Sequence, residues 1–182
     1  MILYIIIGII LLILLYLFFT FNSFIKLENK VNETFATMDV YLKKRWDLIP
    51  NLVETVKGYA KHEKETLEEV IELRNMNYDN MSVDEKINTN NKINSGILKV
   101  IALAENYPNL KANDSFIDLS KQLSKVEDEI ANSRKYFNGT VRDFNNKVEM
   151  FPNNIIAKIL GYKVKKMFEA NEDEKENIKV EL

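Results

Sequence analysis

One histidine stands among acids. His62 is followed by Glu63, Glu65, Glu68 and Glu69, with Lys61 and Lys64 interleaved. Two chemistries are open to such a set, metal binding and acid–base catalysis, and both fail on spacing. A di-iron or di-manganese site in a helical protein draws Glu-x-x-His pairs from two helices. Here there is a single histidine, and three positions before it is Tyr59. A zinc site built from His62, Glu63 and Glu65 asks near neighbours on one helix to converge, whereas they point apart. No Gly-x-Ser-x-Gly, Ser-His-Asp set or glycine-rich phosphate loop accompanies them. With no cysteine in the chain, disulfides, thiolate metal sites, a cysteine nucleophile and a lipidated cysteine drop out as well. The acidic run reads as a solvated helix face with lysine–glutamate pairs. The expectation is no catalytic residue, no metal and no cofactor, in a protein that is not an enzyme.

Recognition chemistry is better represented. Lys43, Lys44 and Arg45 are followed by Trp46, the only tryptophan. Positive charge beside a large ring suits an interface with a partner protein or an acidic ligand. The alternative packs Trp46 into the core and leaves the cations in solvent. Nucleic acid is not expected, because the cluster is short and the net charge is −2. A second candidate is the segment 153–168, in which Ile155, Ile156 and Ile159 alternate with Lys158, Lys163, Lys165 and Lys166. It could lie on an anionic leaflet. Equally, its isoleucines could close the end of a helical bundle.

The elements that must carry these residues are helical. Only 5 glycines and 3 prolines occur in 182 residues, and Leu, Ile, Lys and Glu are abundant. Residues 2–21 carry no charge. At 1.5 Å per residue they span roughly 30 Å, the thickness of a hydrocarbon core. No basic residue precedes them and large aromatics follow, unlike a cleaved signal peptide. Lys26 and Lys30 come directly after, so the positive-inside rule puts the N-terminus outside and the rest in the cytoplasm.

Apolar residues then recur in steps of three and four: Leu27, Val31, Phe35, Met38, Leu42, Trp46 and Ile49. Pro50 interrupts this run, with Asp47 placed to cap a new helix, or else it kinks one long helix. A second run continues through Gly58 to about Met76, and residues 75–82 form the turn-like linker. A third begins with Ser82 or Asp84 as cap and ends at Tyr107-Pro108. It carries Asn90 and Asn94 on its inner face, either as buried amides or as signs of an exposed end. The fourth is a near-heptad from Phe116 to Phe151, coiled-coil-like, with Asn138-Gly139 as a bend point and Pro152 as its stop. The predicted fold is all-α: an N-terminal transmembrane helix (1–23), an antiparallel, up-and-down four-helix bundle of long helices (24–151), a short amphipathic helix ended by Gly161 with a basic segment (152–168), and an acidic, disordered tail (169–182).

Three blocks carry a resemblance. LENKVNETFATMDVYLKKRWDLIPNLVETVKGYAKHEKETLEEVIELRN at 27–75, ALAENYPNLKAN at 102–113 and RKYFNGTVRDFNNKVEMFPNNIIAKILGYKVKKMFEA at 134–170 resemble the LemA family. The resemblance implies a prokaryotic membrane protein with one N-terminal transmembrane helix, N-terminus outside, and a helical-bundle domain. It brings no activity, cofactor or catalytic residue with it. The expected role is a scaffold or regulatory protein at the cell envelope, with other envelope proteins or further copies of the chain as partners. The alternative is a lipid-binding or membrane-shaping module on the cytoplasmic leaflet.

Overall fold

The computed structural model describes residues 1–59 and 64–168. The described residues are helical and turn-linked. The helices are α1 (Ile2–Lys57), α2 (Lys64–Arg74), α3 (Val83–Leu103), the single turn α4 (Pro108–Lys111), α5 (Asp114–Glu149) and α6 (Asn153–Leu160). The acidic tail 169–182 and His62 with Glu63 lie outside the described residues.

Of the two outcomes open at Pro50, α1 takes the single long helix. It does not break there. Asp47 is not a cap but a mid-helix residue paired with Lys43 one turn back at 3.0 Å. A proline inside a helix costs about 3 kcal/mol through a lost hydrogen bond and a clash. Leu42, Trp46 and Ile49 on one side of it and Leu52, Val53 and Val56 on the other are all buried, while Pro50 itself is exposed. Burial of one such side chain is worth roughly 1.5–3 kcal/mol, so the stripe outweighs the proline. The helix stops instead at the Gly58-Tyr59 turn, so Gly58 ends a helix rather than lying inside one.

The chain divides into two compact units. One comprises Met1–Met38 and Ser133–Met167. In it, pairs step down α1 as they step up α5: Phe35 with Phe137, Thr34 with Thr140, Phe24 with Phe144, Ser23 with Lys147. The heptad-spaced Phe24, Val31 and Met38 are buried, as are Phe137, Val141 and Phe144 of the near-heptad run. Residues 2–19 are exposed along their whole length, and α1 is the one described helix long and apolar enough to cross a membrane. Helix α5 passes through Asn138-Gly139 unbroken and ends at Glu149, so Phe151 falls off the stripe and is exposed. Gly161, at φ +77°, closes α6, and the Tyr162 amide donates back to the Ala157 carbonyl. A left-handed residue at this position is what glycine supplies without strain.

The other unit comprises Asp39–Asn132 and Phe168–Leu182. Ser82 caps α3 in a reciprocal capping box with Glu85, which holds the Glu85 carboxyl below its ordinary pKa. Helices α2 and α3 meet at Gly96, where an added Cβ would lie 2.8 Å from Val70 Cγ2. Lys99 and Glu69 pair across the same contact at 2.8 Å. Ile93, Ile97 and Val100 of α3 line the core with Leu67 and Val70 of α2.

Candidate functional site

Lys43, Lys44, Arg45 and Trp46 do not form one exposed patch. Helical phase separates them. Arg45 follows Leu42 by three positions and precedes Ile49 by four, so it shares their inward face. It is 2% exposed, and Trp46 is 4% exposed. Lys44 is exposed, and Lys43 is half-buried beside Asp47. Trp46 packs on the ring of Tyr78, with centroids 5.0 Å apart. Trp46 therefore sits in the core, and Arg45 is buried with it instead of staying in solvent.

Arg45 is the centre of a polar cluster. Its guanidinium donates to the Asn90 carbonyl at 3.0 Å, to the Asn90 side-chain oxygen, to Asn94 Oδ1 at 3.5 Å and to the Glu127 carboxylate. One cation thus engages α1, α3 and α5 together. Asn90 is buried and accepts from Arg45 twice, so the amides at 90 and 94 mark an interior contact and not a frayed end. Sequence reading missed the arginine as their partner. The signal was present in two amides one turn apart on an apolar face and a basic residue in phase with another.

A second cluster fastens the Tyr78–Asn80 turn to α1. The Tyr78 hydroxyl donates to Asp39 Oδ1 at 2.6 Å, and Lys86 donates to Asp39 Oδ2 at 2.7 Å while standing 4.6 Å from the Tyr78 ring centre. Burial first, and then the hydrogen bond to Asp39 and its charge, push the Tyr78 phenol far above its ordinary value. In both clusters a cation is paired with a carboxylate, and the Glu127 and Asp39 carboxylates stay partly open to solvent.

The second candidate segment has a different character. Ile156 is buried with Ala157, while Ile155 and Ile159 are exposed, the latter at 77%. Lys158, Lys163 and Lys166 are exposed. Lys165 is half-buried, paired with Glu28 at 3.4 Å and set over the Phe144 ring. The isoleucines therefore do not all turn inward to close a bundle end. Asn145 holds the stretch after α6, donating to the Lys165 carbonyl and accepting from its amide, both at 2.8 Å. Tyr162 stacks on Phe24 at 5.0 Å. Its phenol is raised by burial and by the neighbouring Glu28. At the other end of α6, the Tyr16 hydroxyl donates to Asn153 Oδ1 at 2.8 Å. The result is a short helix fixed beside the end of the apolar stretch, with Met150, Phe151, Ile155, Ile159, Val164 and Met167 open to the surroundings.

The described residues form a helical protein with one helix long and apolar enough to cross a membrane. A "Protein LemA" from Metamycoplasma hominis is 25% identical over 159 residues, which cover 86% of this chain and 72% of the relative. The LemA family profile matches residues 34–182, from the middle of α1 through every later helix. That match takes in both polar clusters and α6, and on it the chain belongs to the LemA family.

Proposed function

We propose that the protein is a non-enzymatic, single-pass membrane protein that holds its leaflet twice, through residues 2–21 and through α6, and so acts as a lipid-contacting scaffold at the cell envelope. The observation that carries this reading is the Tyr16–Asn153 hydrogen bond. Tyr16 lies five positions before Phe21, where the uncharged stretch ends. At 1.5 Å per residue that is roughly 7–8 Å inside the span, within the depth of about 5–10 Å at which interfacial helices bury their apolar faces. Met150, Phe151, Ile155 and Ile159 would be costly to leave in water and are accommodated by that layer. Lys158, Lys163 and Lys166 supply the basic flank that favours an anionic leaflet.

The soluble part is an antiparallel, up-and-down four-helix bundle in this reading. Support comes from the sense of the contacts. Positions 39 and 45 of α1 meet 86 and 90 of α3, rising together. Val70 and Glu69 of α2 meet Gly96 and Lys99 of α3 in opposite order. The pairs between α1 and α5 are opposed throughout. The N-terminus is outside and the bundle cytoplasmic, as Lys26 and Lys30 favour; a reporter fused after Leu182 and active only outside the cell reverses this orientation.

The cysteine-free sequence makes the α6 test direct. A nitroxide is attached at Phe151→Cys, Ile159→Cys or Tyr136→Cys of the full chain in anionic liposomes, and its exposure to oxygen and to a water-soluble nickel chelate is measured. Labels at 151 and 159 are expected in the oxygen-rich layer, and the exposed position 136 in water. If 159 is as accessible to nickel as 136, α6 does not lie in the membrane.

A further inference from the structure

Two lysines sit on the same aromatic cluster of Phe24, Phe144 and Tyr162, and only one has its charge balanced. Lys165 stands 5.1 Å from the Phe144 ring centre with Glu28 beside it. Lys147 stands 5.3 Å from the Phe24 ring centre and donates to the Ser23 hydroxyl. Among the described residues no carboxylate lies within 4.0 Å of its ammonium. Burial lowers the Lys147 pKa, as expected of a cation that gives up water without gaining an anion. A partly desolvated cation held by a hydroxyl and a ring face lacks an anion, and its position says where one comes from. Ser23 is two residues beyond the uncharged span, at the level where headgroups begin. Phe18, Phe19 and Phe21 are exposed just before it, where acyl chains would lie.

We infer that Lys147 and Ser23 form a binding site for the phosphate of an anionic membrane lipid. The ammonium donates to a phosphate oxygen. The Ser23 hydroxyl accepts from Lys147 and keeps its own proton to donate to the same group. A phosphodiester with no cation of its own completes the charge, whereas a zwitterionic headgroup brings a competing ammonium. The site rests on residues 2–21 crossing the membrane, and it does not require α6 to be immersed.

The test is native mass spectrometry of the full-length chain released from detergent micelles doped with phosphatidylglycerol or with phosphatidylcholine of the same acyl chains. Wild type is expected to retain phosphatidylglycerol selectively. Lys147→Met is expected to lower that retention by at least about fivefold, the weight of one lysine at an anionic leaflet, with Lys147→Arg restoring it. Lys30→Met, which removes an exposed lysine paired with Glu33, leaves retention unchanged. Helicity by circular dichroism shows that each variant is folded. Equal phosphatidylglycerol retention in folded wild type and Lys147→Met overturns the site. Displacement of the lipid by an equal concentration of inorganic phosphate also overturns it, since the site then binds a soluble anion. The nitroxide at 159 is read in the same Lys147→Met background. Immersion there with unchanged lipid retention sinks the lysine site alone; nickel exposure there with lysine-dependent retention sinks the α6 reading alone.

Discussion

Arg45 and Lys147 are both cations set against apolar helix faces, and they are balanced in opposite ways. In the unit Asp39–Asn132 with Phe168–Leu182, Arg45 finds its acceptors within the unit, on Asn90, Asn94 and Glu127. Asp39, Tyr78 and Lys86 likewise satisfy one another. In the unit Met1–Met38 with Ser133–Met167, Lys147 has a hydroxyl and a ring but no anion among the described residues, and apolar side chains in and around α6 are exposed. Buried polar networks are favourable when every member is paired, and exposed apolar patches mark where something else is meant to sit. The first unit is built to hold its own shape. On the proposed function, the second is completed by a membrane.

The sharpest way to break the comparison is to remove Arg45. Arg45→Ala leaves buried acceptors unpaired and a void among α1, α3 and α5, and a cost of about 3–5 kcal/mol is expected. Thermal unfolding in micelles, followed at 222 nm, should show it. Arg45→Met, which fills the space without the charge, should recover part of that loss, and more of it with Glu127→Gln. The Glu127 carboxylate is partly open to water, so its own removal is the milder change. An Arg45→Ala chain that melts with the wild type would mean the cluster is ornamental.

That cluster also shows where the sequence is legible. Most of the buried stripe of α1 follows from spacing alone: Val31, Met38, Leu42, Trp46 and Ile49 of the expected run are buried, Leu27 and Phe35 are half-buried, and Phe24 joins the stripe from before it. Arg45 was readable in the same phase, but three adjacent cations look alike until one is pinned between α3 and α5. Spacing left the passage of α1 through Pro50 open, because the proline's cost is local and the packing that offsets it is tertiary. For α6 the amphipathic pattern was plain. Which isoleucine turns inward is decided by contacts far along the chain, at Tyr16 and Phe24, that no local pattern records.

Within the self-contained unit, Gly96→Ala presses a methyl against Val70 at the close approach of α2 and α3. Overpacking of this kind costs about 1–3 kcal/mol, and Val70→Ala should relieve it in the double variant. A melting temperature unchanged by Gly96→Ala would show that α2 moves aside freely. Tyr78 gives a pH signature for the same unit. Its folded-state pKa is raised above that of the unfolded chain, which is near 10. Its contribution is therefore fully present below pH 10 and is lost as pH rises beyond it, because the unfolded chain releases the proton first. Wild type should lose stability from about pH 10 upward, and Tyr78→Phe should lose less over that range. Parallel alkaline profiles for the two proteins would remove Tyr78 from the account.

The smallest effect has the opposite sign and belongs to the unit Met1–Met38 with Ser133–Met167. Gly139 sits inside α5 with nothing within 4 Å of an added Cβ, so no neighbour requires it to be glycine. Glycine in a helix interior is less favourable than alanine by roughly 0.5–1 kcal/mol, because more backbone freedom is lost on folding. Gly139→Ala should therefore raise the melting temperature where Gly96→Ala lowers it. If both lower it, Gly139 is needed for a conformation other than the straight helix, and the openness of this unit extends from its surface to its backbone.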